Sequence, residues 1–361
     1  MSRTLSPDER LFIERMPKVE LHVHLEGSVY PSTLMKLAEK HGRNLPFSDL
    51  DGAREWFQFR DFSHFVEIYI EICSNLRDEE DYSLITWEMA RRAHQENNRY
   101  LEVTYAPASI LNPRIPGTPD VAVEGIREGA RRAAEEFGVE MNFILDPVRG
   151  RQPEEVMELA RWFLKNIGDR LIGFGLGGIE VGNPASLYRD AFELARSAGG
   201  RTPIHAGETD GPESVRDALA TGAERVGHGV TSIRDPELVR ELADSAVVLE
   251  VSPTSNVCLG VVPEFSAHPF PDLYEAGVQV TLNSDDPPMF DTTLTNEYIR
   301  LAEEFDFTLS QIVDLVFRAV DAAFVDSAEK RRLREQYAGE MQALAQELEI
   351  RDLRVSGVDT A

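Results

Sequence analysis

Eight short runs of strand-forming residues punctuate the chain, at 19–23, 100–105, 139–145, 171–176, 202–206, 225–230, 247–251 and 279–282. The stretches between them have helical periodicity. That alternation is the strongest constraint on the fold. Parallel neighbours need a helical crossover, so strands alternating with helices build a parallel sheet. Eight of them predict an α/β fold closed as a (β/α)8 TIM barrel, with an open doubly wound sheet as the alternative. Proline at a first helical position marks helix starts at Asn183-Pro184, Gly211-Pro212 and Asp235-Pro236.

The stretch between the first two runs is longer than one crossover and holds two helical patterns, 62–76 and 82–98. It predicts a helical insertion after the first strand, folded over one barrel mouth. An exposed amphipathic helix is expected at 328–349 and a frayed tail at 351–361, with residues 1–350 forming one barrel domain.

Composition narrows the function classes. With 37 Lys+Arg against 63 Asp+Glu, the net charge is −26. Such a surface repels phosphate backbones, so nucleic acid is not an expected partner. No apolar run approaches the ~20 residues of a membrane span. Residues 1–15 lack a signal-peptide core. Cys73 and Cys258 are the only cysteines, too few for a disulfide framework or a thiolate zinc site. The expectation is a cytoplasmic protein acting on a small molecule, with no membrane partner.

Polar residues gather where the predicted strands end, the face on which barrel active sites are built. The first run ends in His22-Val23-His24. Residues two apart share one strand face, so both imidazoles point to the barrel axis. Alone, such a pair is more often packed or hydrogen-bonded than metal-bound. The fifth run ends in His205-Ala206-Gly207-Glu208, the sixth carries Gly227-His228-Gly229, and the eighth ends in Ser284-Asp285-Asp286-Pro287. Four strands thus finish with His or Asp groups that are costly to desolvate without partners. A cation removes that cost.

The ligand set that follows is His22, His24, His205 and Asp285 around one zinc, with an open position for water. The fourth run ends in Gly175-Leu176-Gly177-Gly178, without the lysine that bridges binuclear barrel sites, which favours a single ion. Zinc lowers the pKa of water from about 15.7 to roughly 7. Glu208 is then the free proton donor, while His228 and the second oxygen of Asp285 orient the water and take its proton.

These motifs resemble the adenosine/adenine deaminase family of the amidohydrolase superfamily. The likeness runs from Pro17-Lys18-Val19-Glu20-Leu21-His22-Val23-His24-Leu25-Glu26-Gly27-Ser28 through His205-Ala206-Gly207-Glu208 and Arg225-Val226-Gly227-His228-Gly229 to Ser284-Asp285-Asp286-Pro287. It implies a (β/α)8 barrel, one Zn2+ per chain and hydrolytic loss of ammonia from carbon 6 of an aminopurine. By motif, His22, His24, His205 and Asp285 match the metal ligands. Glu208 matches the residue that protonates purine N1, and His228 the one that positions the attacking hydroxide. His24, Glu26, Gly178 and Asp286 fall at substrate contacts, Gly178 through its backbone at N3 and Asp286 at N7. Phe65, Val66 and Tyr69 fall near the family's apolar lid.

Two departures bear on the substrate. Animal adenosine deaminases carry aspartate where this chain has Glu26, beside the ribose 5′-hydroxyl. The adenine-specific branch carries aspartate where this chain has Gly227. The balance predicts a zinc-dependent deaminase of an adenosine-type nucleoside, adenosine or 2′-deoxyadenosine. Adenine, or 6-aminodeoxyfutalosine as a 5′-extended adenosine, is the alternative substrate. A phosphoesterase would want further metal ligands and basic residues at the rim. A non-catalytic binding relative would have lost ligands or the proton donor, and this chain retains them.

Overall fold

The computed structural model describes residues 3–60, 62–351 and 353–355. Its strands are β1 (Lys18–His24), β2 (Asn98–Tyr105), β3 (Glu140–Leu145), β4 (Leu171–Phe174), β5 (Pro203–Ala206), β6 (Arg225–His228), β7 (Val248–Val251) and β8 (Gln279–Leu282). Every predicted run holds one of them, with ends displaced by at most about two residues, within the usual boundary error. Strands β1 to β4 pair in chain order, as do β5 to β8, and all neighbours are parallel. Two isolated parallel bridges, Gly173 with Arg201 and Val23 with Asp285, join these halves into a ring. Backbone bonds mark both joins: the Phe174 N–H donates to Arg201 O at 2.8 Å, and the His24 N–H to Asp285 O at 2.9 Å. The sheet is therefore closed, and the open alternative is excluded.

In β1, Val19, Leu21 and Val23 are buried on one face, while Glu20, His22 and His24 alternate onto the other, toward the axis. The helices Pro31–Lys40, Leu50–Phe57, Phe62–Ser74 and Glu79–Gln95 follow β1 as the expected insertion. Asn183-Pro184 opens a 3-10 turn (Ala185–Tyr188) before the Arg189–Ser197 helix, whereas Pro212 and Pro236 begin α-helices directly. The Ser327–Glu347 helix is amphipathic as expected, burying Leu333, Tyr337, Met341 and Leu344. Of the predicted tail, residues 352 and 356–361 lie outside the described residues, while Leu353 and Val355 pack against the core. No described helix is long and apolar enough to cross a membrane.

The insertion is fastened to the barrel wall where the Glu79–Gln95 helix packs on the Pro119–Phe137 helix. A Cβ at Gly129 would come within 2.6 Å of Ser83 O and 2.7 Å of Thr86 Cβ. Only glycine permits that approach. Gly129→Ala should therefore destabilise the fold by ~1–3 kcal/mol through overpacking, although alanine is the better helix former by about 1 kcal/mol. Urea unfolding checks the sign; a stabilised variant would contradict the packing.

Candidate active site

At the C-terminal ends of the strands lies a cavity of about 320 Å³. His24, Gly178, His205, Glu208, His228, Asp285 and Asp286 line it, together with Phe65, Val66 and Tyr69 from the insertion. His22 lies against these groups, its ring 4.5 Å from that of His205 and 4.9 Å from that of His228. Asp285 Oδ1 is 3.5 Å from His22 Nε2 and 3.3 Å from His24 Nε2. The Nε2 atoms of His24 and His205 face each other at 3.2 Å. Segments far apart in the chain thus meet at one point.

That point suits a divalent cation. His22 Nε2 and Asp285 Oδ1 are buried and have no hydrogen-bond partner, a costly state for polar atoms unless a charge satisfies them. Burial opposes charge on His22, yet the adjacent carboxylates of Asp285 and Glu250 lift it to about 10. His24 rises to about 9 against the same burial, through Asp286 and Asp285. A bound metal takes the place of those protons. Three imidazoles and a carboxylate oxygen are a donor set that zinc accepts.

Beneath the rim, His22 Nδ1–H donates to Glu250 Oε2 at 2.9 Å, which turns Nε2 toward Asp285. Glu250 in turn pairs with Arg225, a fully buried guanidinium that also pairs with Glu102, each at 2.5 Å. Another carboxylate sets the loop after β5. Glu180 accepts from the backbone N–H groups of Gly207, Glu208 and Thr209, and from the Ser214 hydroxyl. Despite burial, these bonds hold its carboxyl below the usual range, and they fix the backbone that carries Glu208. Asp146 follows β3 and lines the cavity with Oδ1 unpartnered. It fits because glycines follow β4: a Cβ at Gly175 or Gly177 would come within 2.5 or 2.4 Å of its carboxylate. Sequence reasoning missed Glu250, Arg225, Glu180 and Asp146. Arg225 stood inside a recognised motif, and the repeated glycines were the available sign of Asp146.

Two residues bearing on the substrate lie off the cavity surface. Glu26 is fully buried and does not line the cavity. Its carboxylate accepts from the Ala106 N–H at 3.2 Å and the Tyr69 hydroxyl at 3.4 Å. Gly227 does not line the cavity either. A Cβ there would come within 2.8 Å of His22 Cε1, so its bareness permits the close approach of His22.

If Glu250 orients His22, Glu250→Gln should weaken zinc binding about 10–100-fold, read by competition with a chromophoric chelator. Glu102→Gln removes the same charge beside Arg225 but touches no histidine, and should leave zinc affinity near wild type. Equal losses in both variants would refute the orienting role.

The adenosine deaminase family model matches residues 17–339. The aminodeoxyfutalosine deaminase of Streptomyces avermitilis is 39% identical over 337 residues, covering 90% of this chain and 91% of that protein. The adenine deaminase of Rhizobium leguminosarum bv. trifolii is 40% identical over 319 residues, covering 88% and 98%. Among solved structures, an amidohydrolase from Burkholderia ambifaria with bound Zn superposes with a TM-score of 0.88 at 28% identity, covering 97% of both chains. An adenine deaminase from Arthrobacter aurescens gives 0.85 at 28% identity, covering 91% and 99%. The curated relatives named here bear the alternative substrates, not the adenosine that the sequence favoured. With the matched barrel and the His/Asp centre at its mouth, the chain belongs to the adenosine deaminase family of aminohydrolases.

Proposed function

We propose that the chain is a zinc-dependent hydrolytic deaminase of a 6-aminopurine nucleoside extended beyond its sugar 5′ carbon, of the 6-aminodeoxyfutalosine type. The observation that carries this reading is the apolar mouth of the cavity. Phe65, Val66, Ile70, Leu111 and Ile179 line it, and Ile70 and Ile179 remain 47% and 55% exposed. A free base reaching the polar floor leaves that mouth uncovered, whereas the aromatic ring of a 5′ extension covers it. The engagement of Glu26 by Tyr69 and Ala106 points the same way, since a free 5′-hydroxyl would find no idle carboxylate there. The Streptomyces relatives supply the substrate class.

His22, His24, His205 and Asp285 would hold the ion, one per chain, which supplies Lewis acidity and eases the ionisation of water. The chain's own groups do the rest. Burial raises Glu208 to about 8, helped by Asp285 and Glu180, so it holds a proton at neutral pH and passes it to purine N1. Carbon 6 thereby becomes more electrophilic. Asp286 faces N7 and the Gly178 N–H faces N3, fixing the ring, while the lid helix keeps bulk water out.

An ultraviolet assay of the metal-loaded protein with adenosine, 2′-deoxyadenosine, adenine and 6-aminodeoxyfutalosine should rank the last highest in kcat/KM. Adenine ahead by orders of magnitude would refute the 5′ extension. Glu208→Gln should fold and bind zinc but lose about 10²–10³-fold in kcat. Since Glu208 must be protonated to act, kcat/KM should hold as pH rises toward 8 and then fall about tenfold per unit as the acid ionises. An alkaline limb absent up to pH 10 would remove Glu208 from that role.

A further inference from the structure

Behind His228 runs a chain of hydrogen bonds that starts on the backbone. The Phe270 N–H donates to His268 Nδ1 at 3.1 Å. His268 Nε2 lies 3.2 Å from Asn256 Oδ1, and Asn256 Nδ2 lies 3.2 Å from His228 Nδ1. Asn256, His228 and His268 are all buried, so no bulk water offers them other partners. A backbone amide can only donate, and this fixes the direction of every later bond. His268 Nδ1 must accept, so its proton sits on Nε2 and goes to the Asn256 oxygen. The Asn256 amide must then donate to His228 Nδ1. The order does not depend on which way the asparagine amide was assigned.

We infer that His268 and Asn256 are positioning residues that hold His228 as its Nε2–H tautomer, so that His228 meets the attacking oxygen as a hydrogen-bond donor and not as its base. The opposite tautomer would set two N–H groups against each other across 3.2 Å. His228 itself is held in the left-handed backbone region, φ +62, where β6 ends. Its Nε2 lies 3.7 Å from Glu208 Oε1 and 3.9 Å from Asp285 Oδ2, too far for direct hydrogen bonds, so an oxygen atom seated to one side of the three can bond to each.

This inference rests on the deaminase reading for its chemistry and changes one assignment within it. In the addition step an O–H bond of water breaks and an O–C6 bond forms. The proton goes to Asp285 Oδ2, and N1 takes the proton of Glu208. His228 keeps its own proton throughout and steadies the new oxygen with it. In the collapse the C6–N6 bond breaks. The amino group takes the proton from Asp285 and leaves as ammonia, and the C6 hydroxyl returns its proton to Glu208 as the carbonyl forms.

Asn256→Asp tests the inference, because a carboxylate accepts from both histidines and forces His228 to carry its proton on Nδ1. The expected result is a loss of kcat of about 10²-fold or more with KM little changed. If His228 were the base, the new carboxylate would support it as in a catalytic triad, and kcat would hold or rise. That outcome would overturn the inference. A second measurement needs no variant: 15N NMR of the histidine rings in the zinc-loaded full chain should find His228 protonated at Nε2. A proton on Nδ1 overturns the relay while leaving the deaminase reading intact. Lack of activity on every aminopurine would sink that reading but not the tautomer.

Discussion

Burial of ionisable groups without bulk water to satisfy them is the constraint from which this molecule is built. His22 shows how it is met. One ring nitrogen is spent on Glu250, whose charge is balanced by Arg225, and Arg225 is shared with Glu102 on β2. The other nitrogen faces Asp285 with no proton-sharing partner of normal length. Below His22 the charges are matched in ion pairs, while at the rim His22 Nε2 and Asp285 Oδ1 face each other unpartnered, where a cation would sit. A folding-only account leaves those atoms unexplained.

The same division governs the rest of the mouth. Glu180 is engaged by three backbone donors and the Ser214 hydroxyl and shapes a loop, whereas Glu208, three residues past His205 on that loop, keeps its carboxyl over the cavity. His268, held by the Phe270 N–H, and Asn256 hand a single orientation on to His228. In both places a hydrogen-bonded layer behind the cavity orients the one group in front that is to act.

Much of this was legible in the sequence. The period of the β-rich runs fixed the barrel, since parallel strands buried on both faces read as short apolar runs. The His and Asp groups were visible because they end those runs, where the topology brings them together. What the sequence could not show was the direction of side chains whose partners lie far away in the chain. Glu26 reads as a substrate contact by its place after β1, yet its orientation depends on Tyr69 and Ala106. Glu250 and Glu102 look like ordinary strand residues until β6 sets Arg225 between them. Gly227 reads as a mark of substrate choice, and nothing in its surroundings along the chain shows that its bareness also admits His22, about two hundred residues earlier.

The ring has a seam where β1 meets the turn after β8, bridged by Val23 and Asp285. Both sides of that seam carry prospective ligands, His22 and His24 on one and Asp285 on the other. During synthesis the imidazoles of β1 emerge early and the aspartate hundreds of residues later, so no complete cage exists on a nascent chain. An ion captured there would be a final rivet, fastened only after the last lap of the polypeptide has docked against the first.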